Sequence, residues 1–380
     1  MSALLVKRRR LVTGAAVAAA ALAAPAFAQK GKSGAATAIV AQIVDMSNEQ
    51  QDVSRDFLVG SRAAWQDINA RGGVRGRPVQ HLSVEIDGSA ASLRAAVMQL
   101  RDNPACVVLS GTAGDPLAGQ LVALLKAENI ALPHAAPWLQ NSSIEVDDRT
   151  FPIFATRQEQ IGYAFKSLAV MGMQELGAVY ATPREHSLYQ TDVERVATSL
   201  KLRLQSFRPG AGGLTPLGLG LSSGTPAVML FVGGTPELVQ FTQGLEKQAR
   251  QRYVIALADV NLQTMVQMGG SKTTPVIATQ AVPMVNQASL PVVRAYRDTL
   301  ARLFDEAPAA LSLAGFIAAR YTYEVLADMD APLTRPAVLA AFQKRANVDV
   351  GGFRVAFNAQ RRGSSYVTQS MLATDGRLIG

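Results

Sequence analysis

The sequence has one cysteine and three histidines in 380 residues, and this scarcity excludes several kinds of site. Cys106 has no second thiol with which to form an internal disulfide, and it lies in the apolar run ACVVLS, which is typical of a buried core thiol. His81, His134 and His186 lie far apart and lack the spacing of metal ligands. We therefore predict no disulfide, no metal site and no cofactor.

Basic clusters and long apolar runs are also missing from most of the chain. No cluster of Lys and Arg with interleaved aromatic residues is present, which argues against a nucleic-acid partner. Beyond residue 28 no stretch approaches the length of a membrane span. The remaining chain is expected to be an exported, globular protein.

The N-terminus has the three parts of an export signal. KRRR is followed by the Ala-rich run 11–24 and then by APAFA, which predicts cleavage after Ala28. A membrane anchor is the alternative, but Gly14 and many alanines make the run weakly apolar, and Pro25 closes it. The stretch 8–12 also fits a twin-arginine signal loosely, so the export route stays open. The predicted location is the periplasm.

Removal of the signal leaves 352 residues, a length that suits two domains better than one. The formal net charge falls from +8 to +4, because the four cations of the signal leave and no acid does. From residue 36 onwards, apolar runs of strand length alternate with amphipathic runs of helix length. In INARGGVRGRPVQHLSVEIDG a helix runs into Gly72, turns at Gly76 and continues as a strand. Repeated units of this kind predict an α/β fold with mostly parallel sheets.

Two segments carry a resemblance to a known family. AAWQDINARGGVRGRPVQHLSVEIDGSAASLRAAVMQL and the C-terminal GGFRVAFNAQRRGSSYVTQSMLATDGRLIG resemble segments of periplasmic solute-binding proteins of the leucine/isoleucine/valine type. The resemblance implies the type I periplasmic-binding-protein fold, in which two doubly wound parallel-sheet lobes are joined by a three-strand hinge. It also implies a monomeric receptor that delivers a small solute to an ABC permease of the inner membrane, with no catalysis.

The order of the predicted elements gives boundaries for the two lobes. Lobe 1 is predicted to contain residues 36–150 and 282–334, and lobe 2 residues 151–281 and 335–380. The hinge is predicted where the chain passes between lobes, near residues 149–155, 279–284 and 333–337.

Ligands of doubly wound sheets bind at the carboxyl ends of the strands, where helix N-termini suit a carboxylate. The loop LSGTAGDP is the best such place in lobe 1, and we predict that Thr112 and Ala113 line the site. In the family a Ser-rich loop here holds the carboxylate of the ligand. Asp115 complicates this prediction, because it is also suited to cap the helix that begins at Pro116.

The next loop of lobe 1, LPHAAPWLQNSS, contributes Ala135, Ala136 and Trp138 to the predicted site. The resemblance places a small residue and a threonine hydroxyl here, and Pro137 with Trp138 departs from that pattern. Trp138 either stacks on an aromatic or flat apolar ligand or packs under the loop. The departure puts a branched-chain amino acid in doubt as the ligand.

Lobe 2 contributes three predicted site residues. The resemblance places Tyr189 where the family has an aromatic residue that closes over the ligand, and Thr235 enters the cleft ahead of a helix. Asp259 lies near the family's acid for a ligand ammonium, or else it caps the following helix. The first case predicts an amino acid as the solute, and the second a simple carboxylate or amide.

Two other functions compete with transport. The same fold serves as a ligand sensor for a signalling receptor. GLSSG at residues 220–224 matches the hydrolase pattern G-x-S-x-G around Ser222, but it follows a Gly- and Pro-rich stretch and precedes a strand, which reverses the required context. The same glycines indicate that the helix of this region is short.

Overall fold

The structure is a computed structural model that describes residues 37–170, 172–372 and 378–380. The predicted export signal and its cleavage point after Ala28 lie outside these residues. Within the described ranges, no helix is both long enough and apolar enough to cross a membrane.

The first part of the chain forms a five-stranded parallel sheet in the order β2-β1-β3-β4-β5. Its elements are β1 (Ile39–Asp45), α1 (Gln51–Ala70), β2 (Gln80–Ile86), α2 (Ala90–Asp102), β3 (Cys106–Ser110), α3 (Asp115–Ala127), β4 (His134–Ala135) and β5 (Thr150–Phe151). Successive side chains of β1 point to opposite faces of the sheet, so the lobe has a core on each face. Val40 and Val44 pack on the α1 side, while Ala41 and Ile43 pack on the side of α2 and α3. We call this sheet and the helices packed on it lobe 1.

The next part of the chain forms a second series of alternating helices and strands. Its elements are α4 (Arg157–Val170), β6 (Glu175–Tyr180), α5 (Pro183–Ser199), β7 (Arg203–Phe207), α6 (Leu214–Leu219), β8 (Val228–Val232), α7 (Thr235–Glu246), β9 (Tyr253–Ala256), α8 (Leu262–Gln267) and β10 (Val276–Gln280). The strands lie in the order β7-β6-β8-β9-β10, which repeats the order of the first sheet. Helix α6 is short, as the glycines predicted. We call this sheet and its helices lobe 2. The predicted α/β fold with two doubly wound lobes is confirmed.

The last hundred residues are divided between the lobes. Their elements are α9 (Pro291–Leu303), α10 (Ala310–Ala327), α11 (Arg335–Gln343), β11 (Val348–Val350), β12 (Phe353–Val355), β13 (Thr368–Leu372) and β14 (Leu378–Ile379). Helices α9 and α10 pack on α1, and β13 adds an antiparallel strand beside β10 of lobe 2. Helix α11 contacts β3 and α10, and the hairpin β11–β12 packs on α10. The predicted boundary at residue 335 is therefore wrong, because the apolar side chains of residues 338–355 belong to the core of lobe 1.

Three segments pass between the lobes and contact each other. They follow β5, β10 and β12 and cover residues 152–156, 281–290 and 356–367. The amide of Gly363 donates to the carbonyl oxygen of Pro152 at 2.9 Å, and the hydroxyl of Thr368 donates to the carbonyl oxygen of Val282 at 2.9 Å. The first two segments overlap the predicted residues 149–155 and 279–284. The third lies about 25 residues beyond the predicted 333–337, because α11 and the hairpin stay with lobe 1.

Candidate functional site

Each sheet reverses its strand order at one place, and these places position the site. The reversal lies between β1 and β3 in lobe 1 and between β6 and β8 in lobe 2. Crevices at the carboxyl ends of such strands are where doubly wound folds bind ligands. The loops that leave these strands bring side chains of the two lobes into contact.

A buried ionic cluster lies at the centre of this contact. Arg157, the first residue of α4, donates a hydrogen bond from Nη2 to Oδ2 of Asp259 in its own lobe. Its Nε lies 3.7 Å from Oδ2 of Asp115, which belongs to lobe 1. The guanidinium carbon lies 4.2 Å from the ring centroid of Tyr189, and the Tyr189 hydroxyl donates to Asp115. One guanidinium thus lies between carboxylates of both lobes.

Asp115 is not a helix cap, which corrects one sequence expectation. The N-cap of α3 is Gly114, at a φ of +99° that favours glycine. The Asp115 carboxylate turns instead to the loop after β4, where Oδ1 accepts the amides of Gln140 at 2.6 Å and Asn141 at 3.0 Å. Asp115 therefore joins two loops of lobe 1 and presents its other oxygen to lobe 2.

Burial and charge act in opposite directions on the pKa values of the cluster. Burial raises the pKa of Asp115, and the charge of Arg157 only partly offsets this effect. Burial also raises the pKa of the Tyr189 hydroxyl, and the negative charge of Asp115 raises it further. Burial disfavours the charged form of Arg157, but the carboxylates beside it outweigh burial and raise its pKa. The tyrosine therefore stays a neutral hydrogen-bond donor and the arginine stays a cation.

Trp138 reaches this cluster from lobe 1. Its ring packs against Phe57 at 5.7 Å and Phe154 at 5.0 Å between centroids, and its Nε1 donates to Oδ1 of Asp259 at 2.8 Å. In this structure Trp138 is packed under the loop, which is one of the two alternatives that the sequence left open. The proposed helix cap at Asp259 is wrong, because Asn261 caps α8.

The other predicted residues of lobe 1 lie behind Trp138. The hydroxyl of Thr112 bonds Nε2 of His134 at 2.9 Å, and the carbonyl oxygen of Thr112 accepts the backbone amide of Trp138 at 2.8 Å. Ala113, Ala135 and Ala136 are fully buried. The structure thus brings Trp138, Tyr189 and Asp259 together and leaves the Thr112 loop covered. The predicted role of all eight residues in solute binding stays a prediction.

Thr235 lies at the rim of the contact, beside a small cavity. Its hydroxyl accepts the backbone amide of Asn261 at 3.0 Å, and the side-chain amide of Asn261 donates to Asp56 of α1 at 2.9 Å, across the lobes. The cavity has a volume of about 70 Å³ and also borders on Asp259. Burial raises the pKa of Asp56 to about 6, although the hydrogen bond from Asn261 lowers it.

The raised pKa of Asp56 predicts a pH dependence of stability. The folded chain binds the proton of Asp56 more tightly than the unfolded chain does. Protonation of Asp56 therefore stabilises the fold in full below pH 3.8, and this stabilisation is lost as the pH rises through 6. We expect Asp56→Asn to be more stable than the wild type at pH 8 by about 1–3 kcal/mol. The advantage is expected to shrink towards pH 4. Urea unfolding of both proteins at pH 4, 6 and 8 measures this difference, and a pH-independent difference contradicts the assignment.

Sequence reasoning missed Arg157 and misread Asp115. A signal for Arg157 was present, because a cation at the first turn of a helix faces the positive end of the helix dipole and is unfavourable there. A basic residue in that position needs an acidic partner from elsewhere in the fold. The carboxylates of Asp115 and Asp259 supply it.

The hydrolase pattern has no catalytic setting in the described part of the chain. Ser222 lies between α6 and β8, and its hydroxyl is 3.5 Å from the Thr225 hydroxyl. No hydrogen bond joins Ser222 to a histidine or a carboxylate among the described residues. Within the same residues, no group of His, Cys, Asp and Glu side chains has the arrangement of a metal site.

Comparisons with known proteins agree with this architecture. A family model described as "Periplasmic binding protein" matches residues 38–374. No curated protein sequence matches the chain.

Three solved structures superpose on most of the chain. An extracellular ligand-binding receptor from Verminephrobacter eiseniae is 18% identical with a TM-score of 0.82, and the match covers 91% of this chain and 100% of that one. A fatty acid ABC transporter substrate-binding protein from Thermomonospora curvata is 13% identical with a TM-score of 0.78, covering 90% of each chain. A leucine binding protein from Thermotoga maritima is 12% identical with a TM-score of 0.75, covering 90% of this chain and 97% of that one. At these identities the likeness concerns the fold.

Proposed function

This chain belongs to the periplasmic binding protein family, and we propose that it is the solute receptor of an ABC importer. It captures a small solute, an amino acid or a related carboxylate or amide, in the cleft between its lobes. Hinge closure then forms the surface that the permease of the inner membrane recognises. The observation that carries this proposal is the buried cluster of Asp115, Arg157 and Asp259, to which both lobes contribute.

Buried charged groups contribute little net stability to a contact between two lobes. Removal of a carboxylate and a guanidinium from water costs several kcal/mol for each ion, and a pair of apolar side chains often holds a structure equally well. The cluster lies at the strand ends where a solute is expected, so solute recognition explains its cost better than stability does.

The three crossings support closure by rotation about a hinge. Residues 152–156, 281–290 and 356–367 form three neighbouring connections between the lobes, and Gly363 of the third donates to Pro152 of the first. Several contacts between the lobes are polar, such as Trp138 to Asp259 and Asn261 to Asp56. Water can replace such contacts when the lobes separate.

The names of two structural neighbours support a solute that carries a carboxylate. One is named for leucine and the other for fatty acids, and both compounds carry a carboxylate. The buried arginine of this chain suits such a group.

A thermal-shift screen tests solute capture. The mature chain is unfolded and refolded to remove any bound solute, then heated with amino acids, amides and aromatic or aliphatic carboxylates. A solute at a hundred times its Kd is expected to stabilise the folded chain by about 2.7 kcal/mol and so raise its Tm. Absence of any shift across the panel contradicts the proposed function.

Fluorescence locates the binding event, because the chain has only two tryptophans. Trp138 lies at the contact between the lobes, where it bonds Asp259, whereas Trp65 lies in the core of lobe 1, stacked on His81. We expect the solute to change the emission of Trp138, so that Trp138→Phe abolishes the change and the matched variant Trp65→Phe keeps it. The opposite pattern places binding outside the cleft. Loss of solute uptake in cells without the gene distinguishes import from sensing.

A further inference from the structure

Arg157 has donors that no acceptor satisfies. A guanidinium offers N–H groups on three nitrogens. Here Nη2 bonds Asp259, while Nε and Nη1 have no hydrogen-bond partner among the described residues. The side chain is only 4% exposed, so water does not reach it freely. A buried donor without an acceptor is costly, which makes each such group in a folded protein a candidate for a binding role.

The Thr112 loop, in contrast, is buried and has no free hydroxyl for an anion in this structure. Its threonine hydroxyl is already bonded to His134, and Trp138 covers it. Burial lowers the pKa of His134 to about 3, so the imidazole stays neutral and places no positive charge behind the loop. A carboxylate that enters the cleft finds its only buried, unsatisfied cation at Arg157 among the residues of this cluster.

We propose that Arg157 is the receptor for a carboxylate of the solute, and that Asp115 takes the place of that carboxylate in this structure. This inference rests on the proposed function and names the chemical group that the receptor recognises. Asp115 suits this role because it comes from the opposite lobe and lies 3.7 Å from Nε without a hydrogen bond to it.

Two neighbours hold Arg157 in the orientation that this role needs. The guanidinium carbon lies over the ring of Tyr189, and Asp259 bonds one nitrogen of the guanidinium from the same lobe. Asp259 is then a positioning residue for Arg157, which differs from the ammonium partner that the resemblance implied. When a solute carboxylate binds Nε or Nη1, Asp115 keeps the amides of Gln140 and Asn141 and the Tyr189 hydroxyl.

Pairs of an acid and its amide test the inference on the wild-type protein. The probes are leucine with leucinamide, benzoate with benzamide and hexanoate with hexanamide, together with the acid and amide forms of any compound that raises the Tm. Isothermal titration at pH 7.5 measures each Kd. We expect the acid of a bound pair to bind about 100-fold more tightly than its amide, because the amide cannot form the charged hydrogen bonds. Equal Kd values for acid and amide overturn the inference and leave the proposed function standing.

Substitution of the arginine gives a second and independent test. Arg157→Gln is expected to remove the difference between acid and amide, and Arg157→Lys to keep part of it, since lysine retains the charge but not the fork of donors. The matched control is Arg203→Gln, because Arg203 of β7 pairs with Glu175 at the surface and is expected to leave both Kd values unchanged. An acid–amide difference that persists in folded Arg157→Gln overturns the inference. If that variant does not fold, the wild-type pairs decide.

Discussion

Gly60→Ala and Gly315→Ala are each expected to destabilise the chain by about 3 kcal/mol or more, enough to prevent recovery of folded protein. Helices α1 and α10 cross at these two glycines with almost no space between their backbones. A Cβ atom at Gly60 would lie 1.6 Å from the carbonyl oxygen of Ser312, and one at Gly315 would lie 1.9 Å from that of Phe57. Backbone atoms of two packed helices cannot move aside as the end of a flexible side chain does. The helices would therefore have to separate, and the core of lobe 1 with them.

The control is Gly162→Ala, at a helical position of α4 where, apart from its chain neighbours and its own helix backbone, no atom of the described residues lies within 4 Å of the added Cβ. Alanine favours the helix more than glycine does, so this variant is expected to be more stable by about 0.5–1 kcal/mol. Urea unfolding followed by circular dichroism measures all three. A midpoint for Gly60→Ala equal to that of the wild type shows that the two helices are not as close as described.

The periodicity of the sequence predicts most of the fold because each strand is bounded by local signals. The run CVVLS, for example, is fully buried and continuous, as expected for a central parallel strand, and it forms β3. Gly72 and Gly76 take the positive φ values that the predicted turn requires. Ser89 caps α2 by accepting the amide of Ser92, three residues later. Such features depend on residues within a few positions of each other.

The third crossing was placed wrongly for the opposite reason. The short apolar segments of β11 and β12 suit either lobe, and only the surface of α10 decides that Val350 and Phe353 pack on lobe 1. The contacts of the site residues could not be predicted from local sequence for the same reason. Asp115 resembles a helix cap within its own segment, yet the backbone amides that donate to it lie 25 and 26 residues later. Its ionic partner, Arg157, comes from the other lobe. Local patterns cannot reveal such partners.

Arg362 connects the third crossing to the loop that carries the site. We expect its substitution to reduce the free energy of unfolding more than other substitutions near the cleft. Its side chain is buried, with Nη1 donating to the carbonyl oxygen of Leu139 at 2.8 Å and Nη2 to that of Asn141 at 2.9 Å. Burial disfavours its charged form and lowers its pKa, while the negative charge of Asp115 opposes this effect. Arg362→Met leaves these carbonyl oxygens without a donor and is expected to cost about 3–5 kcal/mol in urea unfolding.

The same change is expected to weaken solute binding, because the loop at residues 139–141 supplies the amides that hold Asp115. The neighbouring residue provides a matched control. Arg361 is 43% exposed and pairs with Asp148 at the surface, so Arg361→Met is expected to change the free energy of unfolding by less than about 1 kcal/mol. Both variants lose one positive charge, so a difference between them reports on burial and hydrogen bonding and not on net charge. Equal losses in the two variants contradict this role, since they assign the effect to charge alone. A large loss confined to Arg362→Met shows that the crossing and the site depend on one buried guanidinium.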